Sequence, residues 1–141
     1  MARKRVLILC TGNSCRSQMA EGWIRHDLGD RVDVFSAGTR PSVVHPVAIA
    51  VMAEAGVDIS SHRSKPVQEY GGQPFDLVVT VCDDAKEACP MFPGAAKQIH
   101  ESFPDPVGFT GTKEEVLEKF RDVRDQIRSG LVPLVRRELA V

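Results

Sequence analysis

The sequence predicts an α/β fold, a single-domain sandwich in which a four-stranded, mostly parallel sheet is flanked by helices. Apolar strand segments alternate along the chain with segments of helical spacing, which is typical of parallel sheets with right-handed crossovers. The length of 141 residues corresponds to about one domain, so residues 1–141 are expected to fold as one unit. The composition, 43% hydrophobic and 26% charged, is ordinary for a protein with a buried core.

The strands and helices are predicted in order along the chain. Residues 5–10 form the first strand, because the middle of this segment is continuously apolar. The same alternation then predicts a helix over 17–29, a strand over 32–35, a helix over 46–55, and strands over 75–81 and, more weakly, 97–100. Thr112 and Glu115 form a capping box for a last helix, and Pro133 is expected to kink or end it.

Charge and hydropathy exclude several classes of function. A formal net charge of -1 gives no basic excess for binding nucleic acid. No run approaches the ~20 apolar residues of a membrane span, and the apolar stretch behind the basic N-terminus is too short for a signal peptide. We therefore expect a cytoplasmic monomer with no membrane or nucleic-acid partner, no cofactor and no metal. The histidines lack metal-ligand spacing and are expected at the surface or in loops: His26, His45, His62 and His100.

The four cysteines are Cys10, Cys15, Cys82 and Cys89. The cytosol keeps thiols reduced, so a structural disulfide framework is not expected, and their spacing does not match the common zinc sites. Redox or nucleophilic chemistry is the better interpretation. Cys10 and Cys82 lie at the carboxyl ends of predicted strands, and the carboxyl ends of parallel strands meet at one edge, so these two thiols are expected to lie close together. The alternative is that Cys82 and Cys89 are buried structural thiols.

A glycine-containing loop joins the first strand to the first helix and is predicted to bind an oxyanion. Its backbone N–H groups are able to turn inward over the helix N-terminus. Gly12 allows close backbone approach, Asn13 tolerates a left-handed conformation, and Arg16 supplies a planar fork for two oxygens. The expected oxyanion-binding residues are Thr11, Gly12, Asn13, Ser14, Cys15, Arg16 and Ser17.

Cys10, at the base of this loop, is the candidate nucleophile. The helix dipole, the loop N–H groups and Arg16 all favour its thiolate form, and Ser17 is placed to donate a hydrogen bond to it. The loop therefore predicts thiolate attack on a tetrahedral oxyanion. In the alternative interpretation, Cys10 is a small buried hydrophobe and Arg16 is a surface charge.

These residues lie in a stretch that resembles a known family. Residues 6–22, VLILCTGNSCRSQMAEG, closely resemble the phosphate-binding loop shared by low-molecular-weight protein tyrosine phosphatases and thioredoxin-coupled arsenate reductases. The resemblance implies the fold of the low-molecular-weight phosphatases. It continues through Ser36-Ala-Gly-Thr, the strand over 75–82 with Asp83-Asp84 after it, Cys89-Pro90 and Phe103-Pro-Asp-Pro.

The second half of the chain favours the reductase over the phosphatase. A two-electron reduction requires one thiol to attack the Cys10 adduct and another to resolve the disulfide, and Cys82 and Cys89 meet this need. A phosphatase hydrolyses its intermediate with water and needs neither thiol. The phosphatases also usually place a tyrosine after their acidic Asp-Pro pair, whereas this chain has Asp105-Pro106-Val107 and its only tyrosine is Tyr70.

Resemblance and chemistry together imply a relay for arsenate detoxification. Cys10 attacks arsenate held by the loop and Arg16, and Asp105 acts as the general acid. Cys82 then attacks Cys10 and releases arsenite, and Cys89 attacks Cys82, so that a disulfide is presented to thioredoxin. Phosphate and sulfate are expected to mimic the substrate. A phosphatase and a non-enzymatic thiol redox sensor remain the alternatives, and Asp105 has the alternative role of beginning a turn.

Two further expectations concern motion and ions. If residues 83–89 are helical, positions seven apart lie ~10.5 Å apart, beyond the ~4.4–6.8 Å of a disulfide, so this segment is expected to unwind on oxidation. Family resemblance also implies a potassium site near Asn13 and Glu21. Here Arg63 and Lys65 bring positive charge that repels a cation, so Lys65 is expected to replace the ion, unless it is a solvated surface lysine.

Overall fold

Strands and helices alternate along the computed structural model, which describes residues 3–82 and 91–141. This alternation confirms the predicted α/β class. A short 3₁₀ helix over Val67–Tyr70, which the sequence did not predict, precedes the third strand. The other elements are β1 (Lys4–Cys10), α1 (Arg16–Leu28), β2 (Val32–Gly38), α2 (Pro46–Glu54), β3 (Leu77–Thr80), β4 (Gln98–His100) and α3 (Lys113–Leu139).

The sheet has the strand order β2-β1-β3-β4, and every neighbouring pair is parallel. Residues 6–9 of the central strand β1 are fully buried, because both faces of the sheet are covered. The register sets Cys10 opposite Gly38 of β2 and Leu9 opposite Thr80 of β3. The carboxyl ends of three strands therefore meet at one edge, where the loop after β1 begins.

Alternate residues of β1 enter two different apolar clusters, as the period of a strand requires. Val6, Ile8 and Cys10 belong to the larger cluster, which includes residues of all three α-helices. Leu7 and Leu9 enter a smaller one on the opposite face. This second cluster is rich in aromatic rings and contains Tyr70, Phe75 and Phe92.

Pro133 does not end the last helix, which continues to Leu139. Proline removes one hydrogen bond from a helix interior. The apolar residues on either side of it, Val132 and Leu134, are buried, and tertiary packing supplies most helix stability. The predicted helix over 83–89 lies outside the described residues. Within the described ranges, no helix is long and apolar enough to cross a membrane.

Candidate active site

The backbone carbonyl groups of the loop after β1 are taken up by neighbouring segments. Gln18 Nε2 donates to Asn13 O at 3.0 Å. This bond fixes the orientation of the peptide plane that follows Asn13, because the peptide group is planar. Three more bonds come from the backbone N–H groups of Arg40 to Thr11 (2.9 Å), Ser42 to Gly12 (3.2 Å) and His45 to Ser14 (2.9 Å).

Asn13 is the centre of the loop and adopts the predicted left-handed conformation, with φ of 44°. Its fully buried side chain donates to Ser17 Oγ at 2.8 Å and to Ser36 Oγ at 3.0 Å. Its Oδ1 accepts from the Lys65 backbone N–H at 2.8 Å and from Gln18 Nε2 at 3.0 Å. Four hydrogen bonds thus hold the loop in a conformation that few residue types tolerate.

Arg16 and Asp105 face each other at a pocket of about 180 Å³. Arg16 Nη2 lies 3.4 Å from Asp105 Oδ2, and Arg16 Nη1 donates to the carbonyls of Val81 and Phe103 at 3.5 and 3.4 Å. The Arg16 side chain is 4% exposed and that of Asp105 is 39% exposed. The pocket is lined by Cys10, Gly12, Ser14, Cys15, Arg16, Ser42, Asp105 and Val107.

The carboxylate of Asp105 has two partners. One oxygen accepts from the Val107 backbone N–H at 3.0 Å, which is the turn that the sequence allowed as an alternative. The other oxygen faces Arg16. Asp105 therefore shapes the turn and also faces the pocket.

Three of the predicted thiols are buried at this edge of the sheet: Cys10, Cys15 and Cys82. Cys82 Sγ lies 3.9 Å from the carbonyl oxygen of Leu9, the residue before Cys10. Burial raises the pKa of the Cys15 thiol far above its ordinary value, and Asp105 and Cys10 add to this while Arg16 opposes it. These surroundings favour the neutral thiol form of Cys15. Cys89 lies outside the described residues.

A second polar cluster adjoins the loop. Lys65 Nζ lies 3.6 Å from Glu21 Oε1, Ser36 Oγ donates to the same oxygen at 2.5 Å, and Arg25 Nη2 donates to Glu21 Oε2 at 2.9 Å. Burial raises the pKa of Glu21, but Lys65, Ser36 and His62 outweigh it, so the pKa lies below its ordinary value. The Lys65 side chain is 8% exposed, so it is a buried partner of Glu21 and not a solvated surface lysine.

His62 and Gln18 are site residues that sequence reasoning missed. His62 lies in a loop, as the sequence predicts, and its side chain is 8% exposed. The Nε2 atom of His62 lies 2.9 Å from Arg25 Nη1. Because a guanidinium group only donates hydrogen bonds, Nε2 accepts and the ring hydrogen is on Nδ1. Nδ1 then donates to Gln18 Oε1 at 2.9 Å. Gln18 and Glu21 lie three residues apart on one face of α1. This spacing is the sequence feature from which the position of Gln18 in the site is predictable.

Gly38 on β2 touches the loop backbone. A Cβ atom at this position would lie 2.4 Å from Thr11 O and 2.9 Å from Asn13 N. Only glycine allows so close an approach. The segment Ser36-Ala-Gly-Thr, which the resemblance included, thus contributes both Ser36 and Gly38 to the site.

Comparison with known proteins agrees with this geometry. Residues 5–140 match the family described as low molecular weight phosphotyrosine protein phosphatase. The chain belongs to this family. Within the low molecular weight phosphatase family, it is similar to the arsenate reductase of Halalkalibacterium halodurans, with 47% identity over 127 residues, covering 90% of this chain and 91% of the relative.

Two solved structures extend the comparison of this family member. An arsenate reductase in its phosphate-binding state superposes with a TM-score of 0.81 at 34% identity and covers 95% of this chain and 98% of that one. A thioredoxin-dependent arsenate reductase of Corynebacterium glutamicum has a TM-score of 0.64 at 27% identity, covering 98% of this chain and 63% of that one. The predicted low-molecular-weight phosphatase fold is confirmed.

Proposed function

We propose that this family member reduces arsenate to arsenite through a relay of Cys10, Cys82 and Cys89 and is recycled by thioredoxin. The names of its relatives support arsenate reduction, and the Corynebacterium glutamicum structure supports thioredoxin coupling. The main structural support for the relay is the position of Cys82. Its sulfur lies 3.9 Å from the carbonyl oxygen of Leu9, the residue before Cys10. This position supports Cys82 as the thiol that attacks the Cys10 adduct.

The first step joins Cys10 to arsenic. The inward N–H groups of the loop and the Arg16 guanidinium bind the oxyanion. Ser17 Oγ accepts from Asn13, which leaves its own hydrogen to donate to the Cys10 thiolate. The thiolate forms the S–As bond, one As–O bond breaks, and Asp105 supplies the proton with which that oxygen leaves as water.

The second step reduces arsenic. Cys82, as a thiolate, attacks the sulfur of Cys10, and the S–As bond breaks with its electron pair remaining on arsenic. Arsenic falls from the +5 to the +3 state, arsenite leaves, and the two sulfurs form a disulfide. Cys89 then attacks Cys82, which frees Cys10 and leaves a Cys82–Cys89 disulfide. An external dithiol returns both sulfurs to thiols, so two electrons are consumed in each cycle.

The position of the only tyrosine supports the reductase over a phosphatase. Tyr70 packs against Phe75 with ring centroids 6.0 Å apart and belongs to the aromatic cluster on the far face of the sheet. Burial raises its pKa to about 12. At the pocket, the position after Asp105-Pro106 holds Val107, so no tyrosine ring follows the acidic pair to stack on an aryl phosphate.

The setting that we propose is a monomer in the cytoplasm. The relay requires a compartment that keeps both its own thiols and thioredoxin reduced. Sedimentation as one 15.5 kDa chain and recovery of activity in the cytoplasmic fraction are the expected results.

A single turnover tests the relay. The reduced protein is mixed with arsenate and quenched in acid, arsenite is counted, and the thiols are mapped by alkylation and mass spectrometry. The wild type should give about one arsenite per chain and a Cys82–Cys89 disulfide. Cys89→Ser should give the same arsenite and stop at a Cys10–Cys82 disulfide, and Cys82→Ser should give none.

Two results would count against the proposal. Vigorous hydrolysis of an aryl phosphate that is indifferent to both substitutions would indicate a phosphatase. Oxidation of the thiols without release of arsenite would indicate a redox sensor.

A further inference from the structure

Exposed apolar side chains occur in the two loops that contribute Ser42, Asp105 and Val107 to the Cys10 pocket. Among the described residues, the large apolar side chains that are exposed are Val43 (69%), Met91 (82%), Val107 (43%) and Phe109 (42%). Val107 lines the pocket and Val43 follows Ser42, which also lines it. Phe109 lies in the turn that continues from Val107. We call Val43, Val107 and Phe109 the apolar rim.

The oxyanion itself does not account for the rim. Arsenate is a small hydrated dianion, and the groups that suit it are backbone N–H groups and Arg16. Leaving a large aliphatic or aromatic side chain exposed forgoes the favourable free energy of its burial. Apolar groups gathered within a polar surface typically mark a site of interaction with another macromolecule.

Both loops that carry the rim are fixed to the rest of the molecule. The segment before Val43 is bonded to the oxyanion loop through the N–H groups of Arg40 and Ser42. In the other loop, Val107 donates to Asp105 Oδ1 at 3.0 Å and Phe109 donates to the Pro106 carbonyl at 3.2 Å. Docking on such a surface costs little ordering entropy, because the backbone is already in place.

The rim also lies at the edge of the sheet that carries the redox thiols. Arg16 donates hydrogen bonds to the carbonyls of both Val81 and Phe103. The segment after β3 and the segment after β4 are therefore held together by Arg16. Cys82 directly follows Val81, and Phe103 precedes the rim residues Val107 and Phe109. A protein seated on the rim is thus brought to the edge where Cys82 lies.

We propose that the apolar rim is the docking surface for the protein dithiol that re-reduces this chain, namely thioredoxin. The inference rests on the proposed function. The reductant's thiolate attacks the Cys82–Cys89 disulfide, and its second thiol resolves the mixed disulfide, so the reductant becomes a disulfide and two thiols return here. Redox encounters bury less than ~1,200 Å², and a few residues carry most of the binding energy of an interface. A small polar thiol gains little from three apolar side chains.

The test substitutes the two rim residues that do not line the pocket. The double variant Val43→Ser/Phe109→Ser is compared with the matched control Val43→Ile/Phe109→Leu, which keeps the rim apolar. Thioredoxin concentration is varied in a coupled assay with thioredoxin reductase and NADPH. The serine variant should raise the KM for thioredoxin about tenfold, and the control should leave it within about twofold.

Two further measurements separate docking from chemistry. Reduction of the oxidised protein by dithiothreitol, and arsenite release in a single turnover without thioredoxin, should be equal in both variants and the wild type. An unchanged KM for thioredoxin in the serine variant overturns the docking proposal even if single turnover succeeds. Failure of single turnover in the wild type overturns the proposed function instead.

Other occupants of the rim would show themselves in the same experiments. A slower single turnover in the serine variant, with an unchanged KM for thioredoxin, would indicate that the rim serves substrate entry. A wild-type dimer that the serine variant dissociates in sedimentation would indicate a second copy of the chain. Either result overturns thioredoxin docking.

Discussion

Glu21 and Lys65 show how single residues stabilise the catalytic loop from outside it. Lys65 pairs with Glu21 through its ammonium group and with Asn13 through its backbone N–H. Ser36 also links Glu21 to Asn13, because its hydroxyl group donates to Glu21 and accepts from Asn13. The charge of Glu21 is therefore connected to the left-handed residue of the loop through short hydrogen bonds.

The first prediction concerns potassium. Because the Lys65 ammonium already lies 3.6 Å from Glu21 Oε1, a cation has no uncompensated carboxylate to bind there and meets repulsion at short range. Arsenate turnover should therefore be the same in potassium chloride and sodium chloride of equal concentration. Activity that rises strongly with potassium and not with sodium would contradict a replacement of the ion by Lys65.

The second prediction concerns acid stability. The pKa of Glu21 lies below its ordinary value of 4.5, so folding favours the ionised form. The resulting stabilisation is complete above pH 4.5 and is lost as the pH falls through the folded-state pKa. Urea unfolding of wild type and Glu21→Gln should differ by about 3 kcal/mol at pH 7, and by less as the pH falls below 4.5. A difference that is independent of pH would count against an ionised Glu21.

At the level of elements, β2 sets the shape of the loop that follows β1. Gly38 lies opposite Cys10 in the parallel register, and its missing side chain leaves room for Thr11 and Asn13. The carboxyl end of β2 thus packs directly against the backbone of the loop that follows β1. The same edge continues into the segment that carries Arg40 and Ser42, which bond the loop carbonyls.

The third prediction follows from this contact. Gly38→Ala places a Cβ atom 2.4 Å from Thr11 O, so the loop must shift, and misplacement near 1 Å reduces catalysis about a hundredfold. The rate of arsenate reduction in a single turnover should fall by about that factor. The matched control is Gly130→Ala in α3, where the Cβ would lie 3.4 Å from Phe103, an ordinary contact. Equal activity of the two variants would contradict the role of Gly38.

At the scale of the whole molecule, local sequence signals predicted the fold class, the parallel sheet and the left-handed conformation of Asn13 in the loop after β1. These features depend on apolar periodicity and on residues that are neighbours in the chain. The contacts of Lys65 and His62 with α1 span at least 37 residues, as in the bond from His62 to Gln18 (44 residues). Such pairs depend on the path of the loops across the edge of the sheet. A local sequence pattern does not predict that path.

The helix that continues past Pro133 illustrates the same limit in an element. Proline predicts a break from the backbone alone, whereas the buried residues around it decide the outcome through packing. Unwinding of residues 83–89 on oxidation stays a prediction, because those positions lie outside the described residues. Amide exchange equally protected in reduced and oxidised protein would contradict it.

We propose that Cys82 and Cys89 make this oxyanion site a reductase. The most direct measurement is arsenate-dependent NADPH oxidation in the presence of thioredoxin and thioredoxin reductase, followed over many turnovers. The account predicts sustained oxidation for the wild type and its loss in both Cys82→Ser and Cys89→Ser. Sustained turnover in either variant would contradict the relay.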